Sequence, residues 1–327
     1  MTGRAVAAVR APDRLTVFTW HNIESTWCFP AAPGAGPRGF ERQLRFLRRT
    51  AKVVPLVTAL DDLAAGRPIG PRAVALTFDD GYRDHLELAA PTLQRLGLPA
   101  TFFLVPGLLS REVRAWWEVA SWAFARSRRQ QLRWEGQVLP LTSPDLRRAA
   151  ADRVLELLKD RDREAREATV ATLADALDPA GSPEDGGLFL DWDGAGELVR
   201  RGFDVGSHSM YHAILSQEEP HEQQRDLAES RRRLEDGLGV RAPVLAYPNG
   251  TSRDYSAATI AAAQAAGHSH AVTMRTGMTT AASPPYEVPR VGLTPLTGPR
   301  ELWWSLRDAL VSRRWTHRAR GVQHAGS

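Results

Sequence analysis

The stretch AVALTFDDGY, residues 73–82, decides the fold class. Its first six residues are apolar or β-favouring, and an unbroken run of this kind predicts a strand buried on both faces, as parallel strands are. The run stops at an Asp-Asp-Gly turn (79–81), and residues 84–96 then carry apolar side chains near helical spacing. A buried strand, a polar turn and an amphipathic helix together form the repeating unit of a parallel α/β sheet.

Short β-rich runs of the same kind recur on both sides of this unit, with helical patterns between most of them. The runs are LTVFTW (15–20), VVPL (53–56), ATFFLV (100–105), FDVGSH (203–208), VLAYP (244–248), HAVTM (270–274) and VPRVGL (288–293). The further helical segments are 39–50, 194–201, 221–238 and 254–266. Seven or eight such units predict an α/β fold in the form of a (β/α) barrel, which at the lower count is seven-stranded and imperfect. An open doubly wound sheet is the alternative.

Residues 111–180 interrupt this alternation because no strand pattern is evident there. They hold four tryptophans and a long, charged helical stretch: Trp116, Trp117, Trp122, Trp134 and residues 146–177. We predict a helical insertion that packs outside the barrel and shapes one side of a substrate groove. The tryptophans are expected to pack in the core of the insertion rather than to form a sugar platform.

Composition limits the class of protein. The chain has 327 residues, 43% of them hydrophobic, which is ample for a barrel domain over 15–312. An extension (1–14) and a disordered tail (313–327) are expected to flank it. The net charge is +4 without a compact basic run, which disfavours a nucleic-acid partner. The single cysteine, Cys28, excludes a disulfide framework and is expected to be a small buried hydrophobe.

The N-terminal residues and the lengths of the apolar runs indicate where in the cell the protein is expected. The N-terminus lacks an apolar stretch long enough for a signal peptide, and no run of the sequence is long enough to span a membrane. The expectation is therefore a cytoplasmic protein by default, with export by another route left open. Oligomeric state has no signal in the sequence.

Reactive side chains stand where the predicted strands end. His21, Asp79, Asp80, His208 and His212 each follow a β-rich run or lie within a few residues of its end. The carboxyl ends of parallel barrel strands share one rim, where active sites are built. Residues distant in sequence are therefore expected to converge there.

Asp80, His208 and His212 form a candidate metal site. Two imidazoles and one carboxylate leave positions open for water and substrate, as a catalytic divalent metal requires. Zinc suits these ligands best, while cobalt, nickel or iron are chemically feasible. Each motif alone is weak: Asp-Gly commonly makes only a turn, and two histidines four residues apart are more often core or surface groups.

Four short motifs in order carry a family resemblance. TFDDGY (77–82), HSMYH (208–212) and AYPNG (246–250) resemble the polysaccharide deacetylases of carbohydrate esterase family 4. The opening TWHN (19–22) is similar to the branch with its catalytic histidine motif at the N-terminus, which includes poly-N-acetylglucosamine deacetylases. The resemblance extends over about residues 15–295. It implies a metal-dependent hydrolase that removes N-acetyl groups from a glycan.

The resemblance also implies a role for each matching residue. Asp79 is the general base, His21 the general acid, and Asp80, His208 and His212 the ligands of one divalent metal ion. The Tyr247 backbone amide helps to bind the oxyanion, and Asn249 lies in the same substrate-facing loop. These roles agree with amide hydrolysis, which needs an activated water, stabilisation of the tetrahedral oxygen and a proton for the departing amine.

The chain departs from the family pattern in the position of one arginine. The family carries an arginine shortly before Pro-Tyr or Pro-Phe, where it contacts the base. Here Arg241 precedes the strand 244–248 and is expected at its wrong end. Arg290, grouped with the substrate-side residues, is our substitute for that cation; a buried structural ion pair is the alternative.

Several other polar residues receive structural roles. Asp193 is expected to cap the following helix, and His85 to lie on a helix surface. His221, His268 and His270 are not expected to bind metal. Two rival functions remain: a non-catalytic carbohydrate-binding relative, and a metal hydrolase acting on a phosphoester or a small metabolite.

Overall fold

A computed structural model of the chain describes residues 13–29, 36–183, 187–294 and 297–307. The strands are β1 Leu15–Trp20, β2 Lys52–Val53, β3 Ala73–Phe78, β4 Thr101–Leu104, β5 Gln131–Trp134, β6 Gln137–Pro140, β7 Asp204–Ser207, β8 Val244–Ala246, β9 His270–Val272 and β10 Arg290–Gly292. The helices are α1 Gly36–Thr50, α2 Leu56–Ala64, α3 Ala90–Leu96, α4 Pro106–Leu109, α5 Trp116–Ala125, α6 Pro144–Leu158, α7 Arg163–Leu177, α8 Trp192–Arg200, α9 Pro220–Leu238, α10 Ala257–Ala265 and α11 Pro299–Arg307. A π-helical turn, His85–Ala89, precedes α3. The predicted tail and most of the predicted N-terminal extension lie outside the described residues.

Seven parallel strands form a nearly closed barrel, in the order β10-β1-β3-β4-β7-β8-β9, and β2 pairs beside β3. The two end strands approach each other through a parallel bridge between Val272 and Val288, which leaves one seam unsealed. The prediction of a seven-stranded, imperfect (β/α) barrel is therefore confirmed, and the open doubly wound sheet is wrong.

Successive side chains along each strand point alternately into the barrel and outward to the surrounding helices. One row packs inside the barrel: Leu15, Val17, Ala73, Ala75, Phe103, Val244, Ala246 and Val272. The alternate row, with Phe18, Trp20 and Phe78, packs outward against the surrounding helices. Both rows are buried because helices cover the outer face, which explains the unbroken apolar runs. The inward row of β3 continues to Thr77 and Asp79, so the strand's period of two directs Asp79 toward the barrel axis.

The insertion between β4 and β7 packs helices α5, α6 and α7 around an apolar core of their own. Trp116, Trp117 and Trp122 are buried in that core. The expectation of an insertion without strands is wrong, because β5 and β6 pair as an antiparallel hairpin separate from the barrel sheet. Its turn is Glu135–Gly136, both at positive φ, a two-residue geometry in which Glu is an uncommon first residue.

Two local predictions are corrected. The side chain that caps α8 is Asp191, whose Oδ1 accepts the Gly194 N–H at 2.9 Å, so the cap lies two residues before Asp193. His85 is fully buried rather than on the surface. It begins the π-helical turn, and that wider turn changes which side chains face the barrel. Within the described residues, no helix combines the length and apolar character needed to cross a bilayer.

Candidate metal centre and surrounding cleft

The side chains of Asp80, His208 and His212 meet at the rim of the barrel. Asp80 Oδ1 lies 3.3 Å from His208 Nε2 and 3.2 Å from His212 Nε2, and all three side chains are buried. These separations are close to the roughly 3.3 Å expected between two ligands about 2.0–2.1 Å from one tetrahedral ion. Among the described residues, no donor meets Asp80 Oδ1 in hydrogen-bond geometry, which leaves this oxygen suited to a cation.

The surroundings of these three residues favour metal ligation. The His208 Nδ1–H donates to the Ala246 carbonyl at 2.7 Å, which leaves the Nε2 lone pair directed at the centre. Burial alone would raise the pKa of Asp80, but its contacts with the two imidazoles hold that pKa well below its usual range. The carboxylate is therefore ionised, as a ligand must be. The donor set and its geometry fit one divalent ion.

Asp79, the predicted base, is held from inside the barrel by Arg290. The guanidinium donates from Nη1 to Asp79 Oδ1 at 2.7 Å and from Nη2 to Oδ2 at 2.8 Å. Both side chains are buried. Burial alone would raise the pKa of Asp79, but Arg290 keeps it below its usual value, so the carboxylate is ionised at neutral pH.

Arg290 does not reach the substrate side of the site. Its remaining donors contact the Thr273 carbonyl at 3.1 Å and Thr19 Oγ1 at 3.1 Å, within the barrel. Its grouping with substrate-facing residues is therefore wrong, whereas its expected contact with Asp79 is present. Arg241 is exposed before the amino end of β8, at the end of the strand away from the rim, as expected.

His21 follows β1 and lines the same cavity as Asp80 and His212. Its main-chain oxygen accepts the Nε2–H of His85 at 2.6 Å. Its ring lies 5.4 Å from the ring of Phe29, centroid to centroid. The barrel thus brings the end of its first strand to the candidate metal site, while the imidazole of His21 is only half-buried.

The backbone amide of Tyr247, which the resemblance implies as an oxyanion donor, already has a hydrogen-bond partner. The Tyr247 N–H donates to the Val272 carbonyl at 3.2 Å, so this amide is occupied within the sheet. The Tyr247 ring stacks on Tyr255, away from the rim. Asn249 instead lines the cavity, and its Nδ2 is buried without a hydrogen-bond partner in the described part of the chain. The loop therefore presents the side-chain amide of Asn249, and not the main-chain amide of Tyr247, as a free hydrogen-bond donor beside the cavity within the described part of the chain.

A cavity of about 910 Å³ opens over these residues. The barrel contributes His21, Asp80, His212, Asn249, Thr251, Arg253 and Met274, with Cys28 and Phe29 alongside. The insertion contributes Trp116, Trp117, Asp145, Arg148, Ala149, Asp152, Arg153, Leu155, Glu156 and Lys159, the last eight from α6 and the residue after it. The insertion therefore forms one wall of the cleft, as predicted.

A model of the polysaccharide deacetylase family matches residues 66–127 and 134–271, more than half of the chain. The chain belongs to this family. No curated protein matches the deacetylase significantly.

Several solved structures share the fold of this deacetylase. The Streptococcus pyogenes deacetylase PplD in complex with acetate aligns with a TM-score of 0.61 at 17% identity, covering 90% of this chain and 99% of that one. IcaB from Ammonifex degensii aligns with a TM-score of 0.55 at 20% sequence identity, and the alignment covers 90% of this chain and 97% of IcaB. The de-N-acetylase from Aggregatibacter actinomycetemcomitans aligns with a TM-score of 0.57 at 16% sequence identity, and the alignment covers 90% of this chain and 100% of that one. Identities this low show a shared fold and no more.

Sequence reasoning missed the residues of the deacetylase that support the site. Asp84 Oδ2 accepts the N–H groups of Ile23 and Glu24 at 2.6 and 2.9 Å, so with His85 it holds the chain around His21. Glu118 was also missed, although a single carboxylate within the apolar run WWEVASWAFA (116–125) is a recognisable signal of a buried functional or structural charge.

Proposed function

We propose that this polysaccharide deacetylase is metal-dependent and removes N-acetyl groups from a glycan that contains N-acetylglucosamine. The observation that carries the proposal is the buried group of Asp80, His208 and His212 beside Asp79, two members of which, Asp80 and His212, line a large cleft. A zinc ion bound by these ligands supplies Lewis acidity toward the amide carbonyl; cobalt, nickel and iron fit the same donors.

The chain's own residues account for the proton movements. Asp79, ionised and oriented by Arg290, accepts the proton of the attacking water. The Asn249 Nδ2 group donates a hydrogen bond to the developing oxyanion. His21 approaches from the loop that follows β1 and gives a proton to the departing amine. This assignment agrees with the resemblance of TWHN (19–22) to the branch whose catalytic histidine lies near the N-terminus.

The extension of the cleft along the insertion supports a glycan substrate. Its volume of about 910 Å³ does not separate a glycan from a small metabolite, because pockets for small molecules also reach roughly 1,000 Å³. The helix α6 extends it away from the metal centre, as an oligosaccharide requires. A non-catalytic relative would lack a base, an acid or a ligand, and all of these residues are present.

Acetate release tests the proposal. The substrates are N-acetylglucosamine oligomers of increasing length, a small N-acetylated metabolite and a phosphodiester, each assayed after chelation and after metal reconstitution. We expect metal-restored release of acetate that increases with oligomer length. Hydrolysis of only the metabolite or the phosphodiester would support the rival hydrolase, and full activity after complete metal removal would contradict metal dependence.

A further inference from the structure

One acidic residue of the insertion is buried against two loops of the barrel. Glu118 of α5 is 1% exposed, in a helix whose other residues are mostly apolar. Its Oε1 accepts the Tyr82 hydroxyl at 2.8 Å, and its Oε2 accepts the Cys28 N–H at 3.1 Å. A buried carboxylate is unfavourable unless hydrogen bonds satisfy it. Both of its oxygens are satisfied by segments that adjoin the metal centre.

Helix α5 contacts the metal-binding loops as well. Tyr82 comes two residues after Asp80, and its hydroxyl oxygen accepts the Trp117 Nε1–H at 2.8 Å. The Trp117 ring lies 4.2 Å from the ring of His212, centroid to centroid. Adjacent residues of one helix, Trp117 and Glu118, thus touch the loops of both metal-ligand motifs.

The segment 22–29 connects Glu118 to His21. Its first part is held by the barrel, where Asp84 accepts two of its N–H groups. Its far part turns back toward β1: the Asn22 side chain donates to the Phe29 carbonyl at 3.3 Å, and the Phe29 ring packs against His21. The Glu118 bond to Cys28 lies directly before Phe29, where the segment meets the insertion.

We propose that Glu118 is a positioning residue, which holds segment 22–29 so that His21 keeps its place relative to Asp80 and His212. The catalytic part of this inference rests on the proposed role of His21. The insertion is then a support for the acid as well as a wall of the cleft. Displacing a catalytic group by about 1 Å can reduce turnover by about a hundredfold, so the hydrogen bond to Cys28 has a direct kinetic consequence.

The lone cysteine gives a readout that needs no enzyme activity. Cys28 is the only thiol of the chain, is 9% exposed, and burial raises the pKa of its thiol to about 12. In Glu118→Ala and Glu118→Met, which both lack an oxygen that can accept the Cys28 N–H, we expect the thiol to react with a small disulfide reagent about tenfold faster or more, because the segment opens locally. Glu135→Ala and Glu135→Met are matched controls, since Glu135 forms an exposed pair with Arg161 in the same insertion. An unchanged rate in both Glu118 variants contradicts the proposal; if Glu118→Ala does not fold, Glu118→Met decides.

A double-mutant cycle separates positioning from general structure. Glu118→Ala should lower kcat on an acetylated oligomer by up to about a hundredfold, with KM and metal content nearly unchanged. In the His21→Ala background the same substitution should cause little further loss. Equal losses in both backgrounds overturn the proposal. If the wild-type protein releases no acetate, the proposed function fails, and the thiol measurement alone decides whether Glu118 holds the segment.

Discussion

Arg290 donates hydrogen bonds to both carboxylate oxygens of Asp79, at 2.7 and 2.8 Å, although the two residues are 211 positions apart in the sequence. Both side chains are buried at the barrel axis, so neither charge can be hydrated if the other is removed. The pair therefore links the stability of the barrel to the ionisation of the proposed base.

Arg290→Met should lower the free energy of unfolding at pH 7 by about 3–5 kcal/mol, because it leaves a buried, unpaired carboxylate. The double variant Arg290→Met/Asp79→Asn should recover part of this loss, since the remaining amide carries no charge. Arg232→Met is the control: its pairs with Glu229 and Asp236 are on the surface and screened by solvent, so little change in the free energy of unfolding is expected. Urea unfolding measures all three; equal losses in Arg290→Met and Arg232→Met would show that the buried pair has no special role.

The barrel and the polar strand ends could be predicted because parallel strands covered on both faces leave unbroken apolar runs. AVALTF before Asp79 and FDVGSH with His208 at its end are such runs. The convergence of Asp80, His208 and His212 could be predicted from them, since the barrel topology requires those ends to share a rim. These inferences need only local patterns and one architectural rule.

The supporting contacts could not be predicted because they depend on which atoms the fold brings together. Nothing in the sequence indicates that the Tyr247 amide is used by the sheet while the Asn249 side chain remains available. His85 was misplaced because a regular helical period does not anticipate a π-helical turn. The contact of Glu118 with Cys28 joins residues 90 positions apart, across the interface between insertion and barrel.

We expect the purified protein to bind one divalent ion and His208→Ala to lose it. The substitution removes one of three ligands, and the remaining pair cannot hold the ion with comparable affinity. Metal analysis after dialysis against a weak chelator measures the stoichiometry. His221→Ala is the matched control because this histidine is 75% exposed and lies outside the site. Equal metal content in the two variants would remove His208 from the ligand set.

Asn249→Gly tests the proposed oxyanion donor. Asn249 has a φ of 56°, which glycine adopts without strain, so the backbone of the loop should persist. Loss of one preorganised donor should reduce kcat by about a hundred- to a thousandfold with little effect on metal content. Steady-state kinetics on an acetylated oligomer measure the change. A variant that keeps wild-type kcat would indicate that another group stabilises the oxyanion.

His21→Ala should lower turnover by about a hundred- to ten-thousandfold, the usual contribution of a general acid. Metal content should remain intact, because His21 is not among the clustered ligand atoms of the described residues. His21→Asn, which can still form hydrogen bonds, should be equally impaired if proton donation is the role. The measurement is kcat beside metal stoichiometry and thermal stability. Near-wild-type turnover in a folded, metal-loaded variant would return His21 to a structural role.

Asp226 should make the stability of the protein fall as the pH rises. This α9 carboxyl accepts the Met210 N–H at 2.7 Å, and burial raises its pKa from 3.8 to about 7. Because the folded pKa exceeds the unfolded one, its contribution to stability is fully present below about pH 4 and is lost between about pH 4 and 7. The sign is opposite to that of a carboxylate in an ion pair.

Asp226→Asn should remove this pH dependence, since the amide keeps an acceptor for Met210 and cannot ionise. The wild type should therefore lose up to about 4 kcal/mol relative to the variant between about pH 4 and 7, at about 1.4 kcal/mol per unit of pKa. Urea unfolding of both proteins at several pH values measures that difference. Asp236→Asn, an exposed position of the same helix, should parallel the wild type at every pH. A constant difference between wild type and Asp226→Asn would mean that Asp226 is ionised in the folded protein, with its charge stabilised by the amides of the 208–212 loop.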